Sequence, residues 1–311
     1  MEILEGLNEL HKSYPYPVLT IGNFDGVHLA HQRLFARTIE LARAKGGTAM
    51  AMTFWPHPEK FFAPHRDVRY LTSQGVKKAL MGASGLDVTL IVPFTREFSE
   101  TSPLDFIRKI VLGKVGAREV VVGYNFNFGK DRAGNARLLQ EVAGQEGVPV
   151  HVMEPFVVGD QVVSSSRIRH FLSEGEVEAA SRMLGRDYSI LGEVKKGARR
   201  GAGLGFATAN LSPSEAQLPR RGVYVAGMKV REKTYEGVVN VGVNPTFGGS
   251  DLSVEAHLFD FHEDLYDETL EVQFCRRLRE ERTFPSPEAL VEQIKKDVAA
   301  AKAYFQGSRP S

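Results

Sequence analysis

Thr20-Ile-Gly-Asn-Phe-Asp-Gly-Val-His-Leu-Ala-His-Gln32 is the stretch that decides the fold of the first half of this 311-residue chain. It follows the apolar run 17–19, which is typical of a buried strand, and it leads through two glycines into a helical spacing of apolar residues from Leu29. A strand, a glycine turn and a helix N-terminus bring free backbone N–H groups and the positive end of the helix dipole to one point. His28 and His31 project from one face there. The pattern predicts a phosphate-handling site without a P-loop lysine.

The overall composition bounds the class of protein. Hydrophobic residues make up 42% and charged residues 25%, as in globular proteins, and the length allows two domains. The formal net charge of +1 gives no reason to expect a nucleic acid or a membrane as partner. The single cysteine, Cys275, excludes an intramolecular disulfide and fits a reducing compartment. With neither a signal-peptide pattern nor a long apolar run, we predict a cytoplasmic protein that is a monomer or a weak homo-oligomer.

Strand-like and helix-like segments alternate through the first half. The predicted strands are 17–21, 48–54, 88–92, 119–122 and 148–153. The predicted helices are the segment after His28 and the ranges 73–83, 103–112 and 135–142. This alternation predicts a Rossmann-like domain, a parallel sheet covered by helices, with ligands at the carboxyl ends of its strands.

The second half has a different pattern, with short runs separated by glycine and proline. The predicted strands are 190–194, 222–230, 236–241, 253–259 and 270–278. Apolar residues at helical spacing follow in 287–304, with Ser286 as the cap. The pattern predicts a small antiparallel β-barrel with a C-terminal helix, and we place the two domains at 1–185 and 186–311.

Four polar stretches fall at the ends of elements in the first domain: 22–31, 53–58, 123–129 and 164–169. Hydroxyls and N–H groups suit phosphate oxygens, and Arg169 would neutralise the charge that develops on leaving pyrophosphate. No protein nucleophile is needed, because a phosphate oxygen of a second substrate can attack the α-phosphorus of a nucleoside triphosphate. Together the stretches predict a nucleotidyl-transfer site.

Each stretch also has an ordinary explanation. A His-x-x-His pair is commonly surface or core histidine, and the serines 164–166 also suit a helix cap. His57 lies between two prolines, as in many stiff loops, and 123–129 also suits a strand end with a turn. Four such stretches at the strand ends of one domain favour the functional interpretation.

The second domain carries a glycine-rich run, 197–205, followed by Thr208 and Asn210. Such a run can wrap phosphates with its backbone N–H groups, or it can be a flexible basic linker. Thr208 and Asn210 are alternate residues that offer oxygen ligands on one side of a strand, which suits Mg²⁺. Glu255 lies in an apolar strand, where it is either an ordinary edge-strand glutamate or a general base for an attacking hydroxyl.

The four stretches, in this order, resemble the nucleotidyltransferase module of the bifunctional riboflavin kinase/FMN adenylyltransferase (FAD synthetase) family, and the second half resembles its riboflavin kinase module. The resemblance implies these catalytic residues: Glu255, His28, His31 and Arg169. It implies these ATP contacts: Gly22, Phe24, Asp25, Asn125, Ser164, Ser165, Ser166, Arg167, Gly197, Arg200, Gly203 and Gly205. It implies flavin contacts at His57, Phe61, Phe62 and Asn240, and Mg²⁺ ligands at Thr208, Asn210 and Asn125.

The resemblance implies ATP-dependent phosphorylation of riboflavin to FMN, then adenylylation of FMN to FAD with release of pyrophosphate. Three positions depart from the family pattern: Ala30 replaces a glycine, Ala202 an arginine and Ala207 a proline. Two other functions therefore stay open. One is a nucleotidyltransferase for a different phosphorylated acceptor, and the other is a catalytically weakened flavin-binding regulator.

Overall fold

A computed structural model describes residues 1–63, 69–195, 208–213, 215–231, 233–243, 252–261 and 263–308. These residues form two structural units. The first comprises 1–63 and 74–163, and the second comprises 69–73 and the described residues from 164 onward.

The first unit is built on a six-stranded sheet in which all neighbouring strands are parallel. The strands of this unit are β1 (Glu2–Leu4), β2 (Pro17–Ile21), β3 (Thr48–Trp55), β4 (Val88–Pro93), β5 (Glu119–Gly123), β6 (Asn127–Phe128), β7 (Gly134–Asn135), β8 (Val150–Met153), β9 (Val157–Val158) and β10 (Gln161–Val162). The main sheet has the order β1-β4-β3-β2-β5-β8, and β6–β7 and β9–β10 form two separate antiparallel pairs.

The helices of the first unit are α1 (Leu29–Ala44), α2 (Pro58–Phe62), α3 (Gln74–Ala83), α4 (Arg96–Ser99), α5 (Pro103–Asp105), a π-helix (Phe106–Lys114) and α6 (Ala136–Gln145). They cover both faces of the sheet, which explains why its central strands are apolar on both sides. Leu19 of β2 and Met50 of β3 face a core shared with the π-helix and α6. Val18 and Ala49 face the other core, shared with α1 and α3. Successive residues of a strand therefore pack into different cores.

The second unit contains α7 (Ser165–Glu174), α8 (Val177–Leu184), β11 (Tyr188–Lys195), β12 (Ala209–Pro213), β13 (Gly222–Val230), β14 (Lys233–Val243), β15 (Leu252–Leu258), β16 (Thr269–Arg279) and α9 (Pro287–Ser308). Its six strands close into a barrel in the order β11-β12-β15-β14-β13-β16, with every neighbouring pair antiparallel. Tyr188, Tyr224 and Phe274 are fully buried in it. Asp297 of α9 accepts hydrogen bonds from Arg279 at the end of β16, which fixes the helix to the barrel.

The predicted fold class is confirmed: a Rossmann-like parallel sheet, an antiparallel barrel and a C-terminal helix. Two strands of the parallel sheet and the barrel were missed, β1 and β12, because β1 is short and β12 follows the glycine-rich run. The four two-residue strands β6, β7, β9 and β10 were missed as well. The prediction that 103–112 is helical is confirmed, with α-helix in its first turn and a π-helix from Phe106 to Lys114. Helices α7 and α8 belong to the second unit, and a functional boundary at 185 stays a prediction. Across the described ranges, no helix has the length and apolar character needed to cross a membrane.

Candidate functional site

The turn between β2 and α1 has an unusual backbone conformation. Phe24, Gly26 and Val27 have φ values of 49°, 84° and 42°, in the left-handed region that residues other than glycine rarely adopt. A Cβ on Gly22 would lie 2.8 Å from the Phe24 ring, so glycine is required there. Phe24 is fully buried, and its ring contacts Phe35 with centroids 4.8 Å apart. The Phe24 side chain therefore supports the turn, and its contact with ATP stays a prediction.

Two histidines stack at the start of α1. His28 immediately precedes the helix and is 4% exposed, and His31 lies in its first turn. Their ring centroids are 3.5 Å apart and their planes differ by 18°. Nδ1 of His31 is buried, with no hydrogen-bond partner among the residues that the structure describes. Burial lowers the pKa of His31 well below its ordinary value of 6.5, and the positive charges of His28 and Lys77 lower it further. A neutral His31 at a helix N-terminus suits a phosphate oxygen, because its ring can donate a hydrogen bond.

The segment after β3 carries three of the predicted flavin contacts. His57 caps α2, with Nδ1 accepting a hydrogen bond from the backbone N–H of Glu59 at 3.2 Å. Phe61 and Phe62 lie in α2, and both rings contact Phe94, with centroid distances of 5.3 and 5.7 Å. The Phe62 residue is 61% exposed, so this aromatic cluster presents an apolar surface able to receive a planar ring.

Asn125 follows β5, which is the neighbour of β2 in the sheet. Asn125 is exposed, and its backbone carbonyl accepts a hydrogen bond from the Asn127 amide at 2.8 Å. Since parallel strands end at a common edge, Asn125 shares that edge with the turn that holds Asp25, a buried carboxylate. This placement is compatible with the roles predicted for Asn125 toward ATP and a metal, which stay predictions.

The serine-rich stretch lies at the start of α7, in the second unit. The Ser164 hydroxyl accepts a hydrogen bond from the Arg167 backbone N–H at 3.2 Å, so the capping explanation of this serine is confirmed. Ser166 and Arg167 are exposed. Arg169 donates from Nε to the Arg69 carbonyl at 3.0 Å. That this stretch forms one ATP site with the histidines stays a prediction.

In the barrel, three predicted residues form a row across adjacent strands. Glu255 of β15 is paired with Asn210 of β12 on one side and with Asn240 of β14 on the other. Directly opposed residues of antiparallel strands point to the same face, with Cβ atoms about 5 Å apart. Glu255 is partly exposed, while Val254 and Ala256 on either side of it are fully buried in the barrel. The row therefore places one carboxylate between two carboxamides on the face opposite the barrel interior.

Thr208 lies two residues before Asn210 and is also partly exposed. In extended chain the two side chains project to the same side, so a hydroxyl, a carboxamide and the Glu255 carboxylate lie along one face. These hard oxygen donors fit Mg²⁺, which binds few protein ligands and takes others from water and substrate phosphates. The predicted phosphate-binding residues Gly197, Arg200, Gly203 and Gly205, together with Ala202 and Ala207, lie outside the described residues.

The same two-part organisation is found in known proteins. Residues 11–167 match the family model described as FAD synthetase, and residues 184–305 match the model described as riboflavin kinase. A bifunctional riboflavin kinase/FMN adenylyltransferase of Pseudomonas fluorescens is 36% identical over 97% of this chain and 97% of its own length. The chain belongs to the bifunctional riboflavin kinase/FMN adenylyltransferase family.

Other members of the riboflavin kinase/FMN adenylyltransferase family match over similar lengths. The protein of Bacillus subtilis is 34% identical over 94% of this chain and 93% of its own, and that of Escherichia coli K12 is 32% identical over the full length of both. A crystal structure titled as a macrolide-efflux protein from Streptococcus pneumoniae superposes with a TM-score of 0.89 at 26% identity, covering 97% of this chain and 99% of that one. Within the family arrangement, the adenylyltransferase is N-terminal and the kinase is C-terminal.

Sequence reasoning missed one residue beside the histidines, Lys77. This lysine of α3 is 5% exposed, and Nζ lies 3.3 Å from both the Asn23 carbonyl and the Thr53 hydroxyl. A signal was present in the sequence. Lys77 is four residues before Met81, which is buried, so the lysine occupies the apolar face of a predicted helix.

Proposed function

We propose that the barrel unit phosphorylates riboflavin on its ribityl 5′-hydroxyl to give FMN, and that the N-terminal sheet transfers AMP from a second ATP to FMN. The products of the second reaction are FAD and pyrophosphate. The proposal rests above all on the row Asn210–Glu255–Asn240, because it places a carboxylate among oxygen donors on an accessible face of a barrel. A boundary between the two catalytic modules near residue 185 agrees with the matched ranges, 11–167 and 184–305.

In the kinase reaction, Glu255 accepts the proton of the ribityl hydroxyl. The hydroxyl oxygen then bonds to the γ-phosphorus of ATP, and the bond from that phosphorus to the β,γ-bridging oxygen breaks, which releases ADP. The Asn240 carboxamide beside Glu255 contacts the flavin and orients it in the site. The glycine-rich run 197–205 supplies backbone N–H groups to the phosphates.

Thr208 and Asn210 would hold Mg²⁺ in the kinase site, and Asn125 would contribute to a metal site in the N-terminal unit. When bound, the ion supplies positive charge to the phosphate oxygens of ATP. The donor set supports this assignment, because a hydroxyl and carboxamides are the neutral oxygen ligands that a metal–triphosphate complex accepts beside its own phosphate charge.

In the adenylyl transfer, a phosphate oxygen of FMN attacks the α-phosphorus of ATP, and the α,β-bridging bond breaks with release of pyrophosphate. His28, His31 and the backbone N–H groups at the start of α1 bind the phosphates. Arg169, with Ser164, Ser165, Ser166 and Arg167 around it, offsets the charge of the leaving pyrophosphate. FMN lies against Phe61 and Phe62, whose exposed aromatic surface suits an isoalloxazine ring.

Two variants separate the two activities. The full chain is incubated with riboflavin, ATP and Mg²⁺, and riboflavin, FMN and FAD are resolved by chromatography. His31→Ala is expected to accumulate FMN without FAD, whereas Glu255→Gln is expected to leave riboflavin unconverted but still to form FAD from added FMN. The matched controls are His11→Ala, an exposed histidine, and Glu271→Gln in β16, a strand that does not border β15.

The outcomes discriminate among the candidate functions. Loss of both activities in either folded variant would refute the assignment of two sites. FMN formed without FAD by the unaltered protein would favour a different phosphorylated acceptor. Tight flavin binding with no product would instead favour a catalytically weakened flavin-binding regulator. Ala30, Ala202 and Ala207, which depart from the family pattern, would then account for the lost catalysis.

We also infer that the protein works in the cytoplasm, as a monomer or a weak homo-oligomer. The composition, with one cysteine in 311 residues, supports this location.

A further inference from the structure

Lys77 is the lysine that the fold buries at the carboxyl edge of the N-terminal sheet. Two of its three N–H donors are used by groups on two different elements: the Asn23 carbonyl in the turn after β2, and the Thr53 hydroxyl of β3, each at 3.3 Å from Nζ. The Thr53 hydroxyl in turn donates to the Asn23 carbonyl at 3.1 Å. The indole of Trp55 lies over the ammonium, with 5.7 Å between Nζ and the ring centroid. One side chain of α3 thus joins the end of β3 to the turn that carries Asp25.

The ammonium also has titratable neighbours. Asp25, 4% exposed, is the carboxylate that attracts it, and His31 of α1 is the base that its charge affects. Burial lowers the pKa of Lys77 from 10.5 to about 8, although the Asp25 carboxylate opposes this shift. Lys77 therefore still carries its proton at pH 7. The charge of Lys77 helps to lower the pKa of His31; burial of His31 and the charge of His28 have larger effects in the same direction.

We propose that Lys77 is a positioning residue of the adenylyl-transfer site: its ammonium holds the Asn23–Asp25 turn against β3 and supplies a positive charge that acts on the His28–His31 pair. This inference rests on the proposed function of that site. A methionine would fill the same space without the desolvation penalty of a buried charge, so packing alone does not explain a lysine at this position.

The charge has a consequence for the two imidazoles. Stacked rings 3.5 Å apart repel each other when both are protonated, and a third positive charge nearby strengthens that repulsion. With Lys77 in place, His31 stays neutral and keeps one ring N–H for donation to a phosphate oxygen, with a lone pair on the other nitrogen. The attraction for the triphosphate then comes from a group that does not lose its proton between pH 6 and 7.

The test compares Lys77→Met and Lys77→Arg with Lys78→Met in the full-length protein. Lys78 is the next residue of the same helix and pairs with Glu5, so its removal deletes one charge and leaves the buried cluster intact. The histidines are labelled with ¹⁵N, and the His28 and His31 signals are assigned with single His→Gln variants and titrated by NMR. In Lys77→Met the titration midpoint of His31 is expected to rise by about 0.5 pH unit or more, while Lys77→Arg and Lys78→Met stay near the unaltered protein.

Kinetics provide the second readout. For FMN adenylylation, Lys77→Met is expected to lower kcat at least about tenfold and to move the acidic limb of the pH–rate profile upward, with partial rescue by arginine. Riboflavin phosphorylation by the barrel should be unchanged in all three variants, because the substitutions lie in the other unit. Should methionine destabilise the unit, Lys77→Gln removes the charge with a polar side chain and carries the same expectation.

Two results would overturn the inference: a His31 midpoint within about 0.2 pH unit of the unaltered protein in Lys77→Met, or an equal loss of adenylylation in Lys78→Met. Absence of FAD formation in the unaltered protein would instead refute the proposed function. The imidazole titration needs no activity, so the two failures are distinguishable.

Discussion

The ion pair that fixes α9 to the barrel gives the sharpest stability prediction. Arg279 donates from Nε to Oδ1 of Asp297 at 3.0 Å and from a terminal nitrogen to Oδ2 at 2.7 Å. The two side chains are only 13% and 6% exposed, and Gln293 donates to the same carboxylate. Asp297→Ala removes the acceptor for all these donors and leaves the guanidinium largely buried without its counter-charge.

Removing one partner of a buried pair typically destabilises a protein by about 3–5 kcal/mol. Arg279 keeps a hydrogen bond to the Glu280 carbonyl and some contact with water, so we expect about 3 kcal/mol, or roughly a hundredfold change in the opening equilibrium of α9. The control is Glu292→Ala on the same helix. Its pair with Lys296 is exposed, at 71% and 66% of the side chains, and is worth about 0.3–0.5 kcal/mol.

Hydrogen exchange of the full-length protein, followed by mass spectrometry of peptides from α9, measures the difference directly. In Asp297→Ala the protection of α9 amides should fall by about two orders of magnitude, and in Glu292→Ala by about twofold. Equal losses in the two variants, or a loss below about threefold in Asp297→Ala, would show that apolar packing alone holds the helix on the barrel.

Two further predictions concern the N-terminal unit. His31 binds a proton in the folded protein only well below its ordinary pKa of 6.5, so below about pH 6.5 the unfolded state takes up more protons and the free energy of unfolding falls. The urea midpoint of unfolding, followed by Trp55 fluorescence, should therefore be lower at pH 5.5 than at pH 7.5. His31→Gln should reduce this difference. An equal pH dependence of the midpoint in the two proteins would contradict the assignment to His31. Phe62→Ala should raise KM for FMN by about 3–10-fold with little change in thermal stability, because the side chain is exposed, and an unchanged KM would remove Phe62 from the flavin site.

The elements that the sequence predicts well are those with long, regular patterns. Strand β2 is five consecutive buried residues, and the barrel strand β13 is bounded by glycine and turn residues as its pattern indicates. Strand β1 escaped prediction because two of its three residues are exposed and only its pairing with β4 makes it a strand. Local pattern carries no information about such a distant partner.

The site shows the same limit at the level of side chains. The histidine motif is visible in the sequence, but the stacking of its rings depends on the left-handed turn before α1. Phe24 reads as a residue of a ligand loop, yet it packs into the core. In the sequence, Lys77 is one of two adjacent lysines of a helix. Only the approach of α3 to the ends of β2 and β3 makes it a buried cation whose charge acts on His31. Tertiary packing decides these cases.

The row of Asn210, Glu255 and Asn240 restricts how the barrel can vary in length. A one-residue insertion or deletion within β15 that shifts its pairing would turn Glu255 toward the barrel interior and bring buried apolar positions to the surface. A shift of two residues would preserve the faces but move the carboxylate about 7 Å along the strand, away from both amides. Natural length variation in this barrel should therefore collect in the connections between strands, while β12, β14 and β15 keep a fixed number of residues relative to one another.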